Sequence, residues 1–204
     1  MKLLSFALAI LSLFCFATVP ELRPANHQNS RRQMIEKDVG QLYSDSDSIR
    51  VNAANRLVQV GEEAIPLVLP VLCDKAGANS DVAWRSAAKI LGELKAESAA
   101  PCLIQKLALG DVTLSVFKSE KTIAEYDPAF AALVQIGQPT IPAIQRALPS
   151  LHPDKAYLAL RVLRVINTPE AKAVAEGYLK LLERQAKLTS EVVSDFSYGP
   201  GLVK

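Results

Sequence analysis

The chain has 204 residues, half of them hydrophobic and 22% charged, which fits one folded, helix-rich domain with a proper core and excludes disorder over most of the length. The 23 Lys and Arg against 21 Asp and Glu leave a formal charge of only +2. The cations are spread along the chain, so the electrostatic footprint of a nucleic-acid binder is missing.

The opening MKLLSFALAILSLFCFA has a cationic start at Lys2, an apolar run from Leu3 to Phe16 and small residues at Cys15 and Ala17. This is the pattern of a cleavable export signal. An uncleaved anchor would need a run of about 20 apolar residues, and a lipid-modified Cys15 would need a small residue where Leu-Phe precedes it. After cleavage no membrane-inserted segment is expected. Export would leave Cys73 and Cys102 where a disulfide can form, but each is also the kind of small residue that packs unpaired inside a helical core.

Downstream, RRQMIEKDVGQLYSDSDSIR reads as a lone helix with Met34, Ile35, Val39 and Leu42 on its apolar side. Such a helix suits an N-terminal cap that covers the open apolar edge of a stack of repeats. Repeats follow. The segment IRVNAANRLVQVGEEAIPLVLPVL from Ile49 returns as AWRSAAKILGELKAESAAPCLIQKL from Ala83, as EYDPAFAALVQIGQPTIPAIQRAL from Glu125, and more loosely from Lys155.

In register, the turn position is held by Gly61, Lys95, Gly137 and Asn167. Eight residues earlier stand Ala53, Ala87, Ala129 and Ala159, and four earlier Leu57, Leu91, Leu133 and Leu163. This is the three-and-four spacing of an amphipathic helix, with small residues where two helices approach closely. Glycine, or failing it asparagine, accepts the left-handed backbone after a helix end, and Lys95 departs from that rule. A second helix is expected to start near Pro66, Pro101 and Pro142, since proline loses no bond in a first turn. Pro70, one turn further in, should bend its helix.

Between the second and third units the insertion Leu109 to Asp127 breaks the helical period. A loop, a short strand and an extra helical turn are all compatible with it, and a loop with one anchored apolar point is the expectation. From Thr189 onward the periodicity stops and Gly199-Pro200-Gly201 follows, which predicts a flexible tail.

The turns and their flanks, NRLVQVGEEAIP, AKILGELKAESAAP and AALVQIGQPTIP, resemble the HEAT-like repeats named after the phycobilisome lyases. The resemblance covers roughly Ser30 to Leu188, with departures at Trp84 and Tyr126, which stand where Arg50 holds the arginine usual for the family. It implies an all-α fold, an α-solenoid of about four HEAT-like helix pairs with an N-terminal capping helix, its second helices lining a concave surface. The organisation expected is a signal peptide at 1–17, a linker at 18–29, a HEAT-like repeat domain at 30–188 and a flexible tail at 189–204.

No catalytic set emerges. A hydrolase or transferase needs a nucleophile with its base, or paired carboxylates, brought together, and His27 and His152 have no such neighbours in the sequence. No metal site is expected, and no cofactor: among nine glycines none forms a phosphate-cradling loop ahead of a helix. Counted from the aligned prolines on parallel helices, Cys73 and Cys102 lie six positions apart. That is about 9 Å along the axis, too far for a disulfide, so two separate thiols are expected.

What remains is a polar ridge on the second helices. Gln105 and Arg146 fall at equivalent positions, with Lys106 and Gln145 beside them, and such a ridge can grip another protein. The expectation is an exported, periplasmic or secreted, non-enzymatic scaffold or adaptor whose partner is another protein, with nucleic acid excluded and the oligomeric state open. The rival reading, which the family name suggests, is a lyase- or chaperone-like protein handling a small ligand or chromophore.

Overall fold

The computed structural model of the chain describes residues 25–74, 80–108 and 120–197, with side chains described over 29–74, 81–108 and 120–186. The expected signal peptide, the first part of the linker, residues 109–119 of the insertion and residues 198–204 of the tail lie outside the described residues. Within them the structure is all-helical and contains no strand. By its contacts the chain divides into Met1–Met34 and Ile35–Lys204, and each is taken by itself.

In the first unit the described part is the opening of helix α1 (Ala25–Gln41), exposed from Asn29 to Met34. The helix therefore starts inside the expected linker rather than after it. Met34, expected on the apolar side, is 61% exposed.

In the second unit the end of α1 buries Ile35, and Leu42 just beyond it is fully enclosed. Helix α2 (Asp47–Val60) is tied to it through Arg56, which donates to Asp38 Oδ1 at 2.7 Å and Gln41 Oε1 at 2.6 Å. A 3-10 turn over 61–64 leads into α3 (Ile65–Cys73). The same succession follows in α4 (Ser80–Glu93), the turn 97–99 and α5 (Ala100–Lys106), and again in α7 (Pro128–Ile136), the turn 138–140 and α8 (Ile141–Ala147). Pro66, Pro101 and Pro142 are each the second residue of their helices, where the missing N–H has no helical acceptor to lose. Pro70 lies inside α3, which continues through it. A short α6 (Glu120–Tyr126) precedes α7, and α9 (Pro153–Ile166) and α10 (Pro169–Ser197) complete the chain.

Two expectations change here. The end of the insertion, Glu120–Tyr126, is helix rather than loop, anchored by the buried Ile123. Helix α10 runs on to Ser197, past the Thr189 at which the tail was expected to begin.

The helices pack as two successions. Helices α2, α4, α7 and α9 touch each other in turn, as do α3, α5, α8 and α10, and α3–α4, α5–α7 and α9–α10 contacts join the rows. The core lies between them. Ala53, Ala87, Ala129 and Ala159 are fully enclosed, and so are Leu57, Leu91 and Leu133, with Leu163 at 1%. Burying each such leucine contributes about 1.5–3 kcal/mol relative to leaving it in water. The closest approach is at Gly92 on α4: a Cβ there would lie 2.9 Å from Ala132 Cα and 3.0 Å from Ala132 Cβ on α7.

The four turn residues all have positive φ: 80° at Gly61, 51° at Lys95, 76° at Gly137 and 56° at Asn167. Lys95 therefore does what glycine does elsewhere. Its N–H donates to Gly92 O at 3.0 Å and that of Ala96 to Leu91 O at 2.9 Å, the paired bonds that close a helix on a left-handed residue.

Candidate protein-binding face

The ridge residues belong to α5 and α8, which are packed side by side. Ile104 and Ile144 point into the core, so the helical period turns Gln105 and Gln145 outward. Both are exposed, as is Arg146, while Lys106 is half-buried. Arg146 Nε donates to Pro142 O at 3.2 Å, and among the described residues no carboxylate pairs with its guanidinium. It lines a cleft of about 410 Å³ with Pro101, Pro139 and Pro142, and with Glu97 at the α5 side. Proline faces between one carboxylate and one guanidinium offer flat apolar area with polar ends, a surface suited to an extended peptide.

Lys106 is placed differently from its neighbours. Its ammonium donates to Asp74 O at 3.0 Å, just past the end of α3, and lies 5.4 Å from the centre of the Trp84 ring. Trp84 is 8% exposed and donates from Nε1 to Asp81 Oδ1 at 3.0 Å, with the Arg85 guanidinium 5.1 Å from its ring. Lys106 thus joins α5 to the end of α3 and to α4 by a charged hydrogen bond and a cation–π contact. On the other side, Gln105 O accepts from Lys155 Nζ at the start of α9.

The cysteines overturn the sequence expectation. Cys73 and Cys102 form a disulfide with their Cα atoms 5.3 Å apart, and both residues are half-buried rather than enclosed. The estimate of about 9 Å assumed parallel helices with their prolines level. Instead the last residue of α3 meets the first turn of α5, so the two helices do not run parallel with their prolines level. Nothing in the local pattern of either helix carries that arrangement.

Two acidic groups were missed by sequence reasoning. Asp127 is 5% exposed and caps α7: its Oδ1 accepts from Ala129 N–H at 2.9 Å and Phe130 N–H at 3.1 Å, and its Oδ2 from Ala108 N–H at 3.2 Å. Burial pushes its carboxyl above the ordinary value, outweighing the three N–H donors and the charge of Arg85, which pull it down. The Asp-Pro pair before AFAALV was a legible N-cap signal. Glu120, on α6, pairs with Arg161 at 3.1 Å and with Arg164, both on α9. Its carboxyl is held below the ordinary value first by its own backbone N–H, against an upward push from burial, with the Arg164 and Arg161 guanidinium groups lowering it further.

His27 lies in α1 ahead of the side chains described there, and His152 precedes α9, exposed, with Nδ1 3.3 Å from Asp154 Oδ2. Among the described residues no three His, Cys, Asp or Glu converge as metal ligands, and no helix is long and apolar enough to cross a membrane.

A second depression, of about 320 Å³, runs between α9 and α10 over Tyr157, Leu160, Leu163, Ala175 and Leu179. No protein-family model matches the chain, and no curated protein matches it either.

Proposed function

We propose that the chain is an exported, non-catalytic HEAT-like α-solenoid that works as a scaffold or adaptor, holding another protein against the face formed by α5 and α8. The observation that carries this reading is the exposure of Gln105, Gln145 and Arg146 on consecutive second helices, beside a cleft bounded by Glu97 and Arg146. The two successions of helices and the turn geometry support the solenoid, with α1 as its capping helix. The Cys73–Cys102 bond supports export, because a structural disulfide persists in an oxidising compartment and is rare in the cytosol. No cofactor, metal or nucleic acid enters this reading.

The test is capture of the tagged chain from its native envelope under crosslinking, followed by mass spectrometry and by the same capture with Arg146→Glu. A stoichiometric protein crosslinked near Gln105 or Gln145, whose recovery falls about tenfold or more with the reversed charge, is the expected result. A chain recovered alone, or a partner indifferent to Arg146→Glu, overturns it. A copurifying small molecule that absorbs visible light would replace it with the lyase- or chaperone-like reading.

A further inference from the structure

Helices α9 and α10 are joined by Asn167 and Thr168 alone and pack on each other, so they run antiparallel as a helical hairpin. The groove of about 320 Å³ between them is lined by Leu160 and Leu163 from α9 and by Ala171 and Ala175 from α10. Its two ends differ. Arg164, Asn167 and Lys172 stand within about a turn of the connection. Tyr157 and Leu179, 39% and 48% exposed, lie ten residues before Asn167 and eleven after Thr168. At a rise of about 1.5 Å per residue the groove is about 15 Å long, polar at the connection and apolar at the open end.

The polar end carries a surplus of positive charge. Arg161 and Arg164 share the single carboxylate of Glu120, and Lys172 is exposed and pairs with no carboxylate among the described residues. With Glu176 on the α10 side of the groove, three cations stand against two carboxylates. Arg161 is already committed: its side chain is 12% exposed and its Nη1 donates to Tyr157 Oη at 2.7 Å. Arg164 is 66% exposed, and a guanidinium keeps donors to spare beyond one ion pair. The surplus therefore sits at Arg164 and Lys172, beside the connection. Glu176, one turn further along α10, disfavours an anion midway down the groove.

We propose that this groove binds a straight-chain fatty acid, its carboxylate held by Arg164 and Lys172 and its alkyl chain laid between Leu160 and Ala175 toward Tyr157 and Leu179. One net positive charge at one end of an apolar slot complements one carboxylate on an unbranched chain. A volume of about 320 Å³ stands at the lower end of the range for small-ligand clefts, whereas a docked helix about 10 Å across and 15 Å long occupies on the order of 1,000 Å³. The site shares no residue with the α5–α8 face and stands or falls without it.

Isothermal titration calorimetry of the full chain with dodecanoate is the test, after a lipophilic resin has stripped any bound lipid and with circular dichroism to confirm that each variant is folded. The wild type is expected to bind one dodecanoate with a dissociation constant of about 100 μM or lower. Dodecyltrimethylammonium, which carries the same chain and the opposite charge, is expected to bind at least about tenfold more weakly. Lys172→Glu, at a residue open to water, is expected to weaken dodecanoate about tenfold without weakening the cationic amphiphile. Ala175→Phe, which fills the slot, is expected to abolish binding, and Arg146→Glu on the α5–α8 face to leave it unchanged. A wild type that takes up no dodecanoate at about 1 mM overturns the proposal. Equal affinity for the two amphiphiles overturns it too, as does dodecanoate binding that Lys172→Glu or a folded Ala175→Phe leaves intact.

Discussion

The turn residues show how finely the backbone grades side chains. Gly137 combines φ 76° with ψ −137°, a region open in practice to glycine alone, so Gly137→Ala is expected to cost about 1–3 kcal/mol. Lys95 holds φ 51° with a side chain attached, a strain of about 1 kcal/mol that Lys95→Gly would release, less the extra freedom glycine adds to the unfolded chain. A net gain of a few tenths of a kcal/mol in urea unfolding is expected, and a loss would show that the Lys95 side chain contributes contacts of its own. Asp127 offers a test in pH. Its folded carboxyl holds a proton more tightly than the unfolded one, because burial raises it. The folded state therefore binds more protons within that window, and stability falls as pH rises from the ordinary carboxylate value through the folded one. Asn cannot titrate, so the stability of wild type minus that of Asp127→Asn is expected to shrink as pH rises above about 4. A gap that widens instead would mean that the three N–H donors outweigh burial. Asp127→Ala, which removes the cap, is expected to cost about 1–2 kcal/mol at neutral pH.

Between helices, one covalent and one steric contact set the spacing. The Cys73–Cys102 bond closes a loop with a sequence separation of 29, for which the loss of unfolded-state entropy corresponds to about 3–4 kcal/mol. Reduction, or the double change Cys73→Ser with Cys102→Ser, is expected to lower urea-unfolding stability by about that amount. An unchanged midpoint would show that α3 and α5 hold their placement without the bond. At the α4–α7 crossing a Cβ on Gly92 would approach Gln135 Oε1 to 2.5 Å as well as the Ala132 backbone. A glutamine can swing aside but a helix backbone cannot, so Gly92→Ala is expected to destabilise by about 1–3 kcal/mol despite alanine's better helix propensity. Thermal unfolding of the single variant checks this, and a neutral result would mean that the two helices can part by a few tenths of an ångström. The sequence spacing offered Ala87 and Ala129 as the close-packing residues and passed over Gly92, because it lies off the recurrent eight-residue position.

Across the second unit, α4 and α7 are packed on both sides, and Ala87, Leu91, Ala129 and Leu133 on them are fully enclosed. Their amides are expected to exchange slowest, while those of residues 30–34, exposed in the other unit, exchange orders of magnitude faster. Equal protection in mass-spectrometric exchange would mean that α1 is held along its whole length. Helix positions, buried faces and turns were legible in the sequence because each depends on residues within a turn or two: Leu57, Leu91, Leu133 and Leu163 announce a face, and Gly61, Gly137 and Asn167 announce the reversal that ends it. Lys95 was read as an exception only because its side chain hides a backbone that the surrounding pattern still dictates. Tertiary structure alone decided the rest. The placement of α3 against α5 joined two cysteines that level, parallel helices would keep apart, and Lys106 on α5 reaches Asp74 and Trp84. The placement of α6 against α9 set Glu120 beside Arg161 and Arg164, and the way α10 rests on α8 and α9 left Leu179, Leu181 and Leu182 open. The physical reason is the same each time: periodicity says which side of a helix is apolar, whereas the few ångströms of slide between neighbouring helices arise from the packing of many side chains at once and appear in no local pattern.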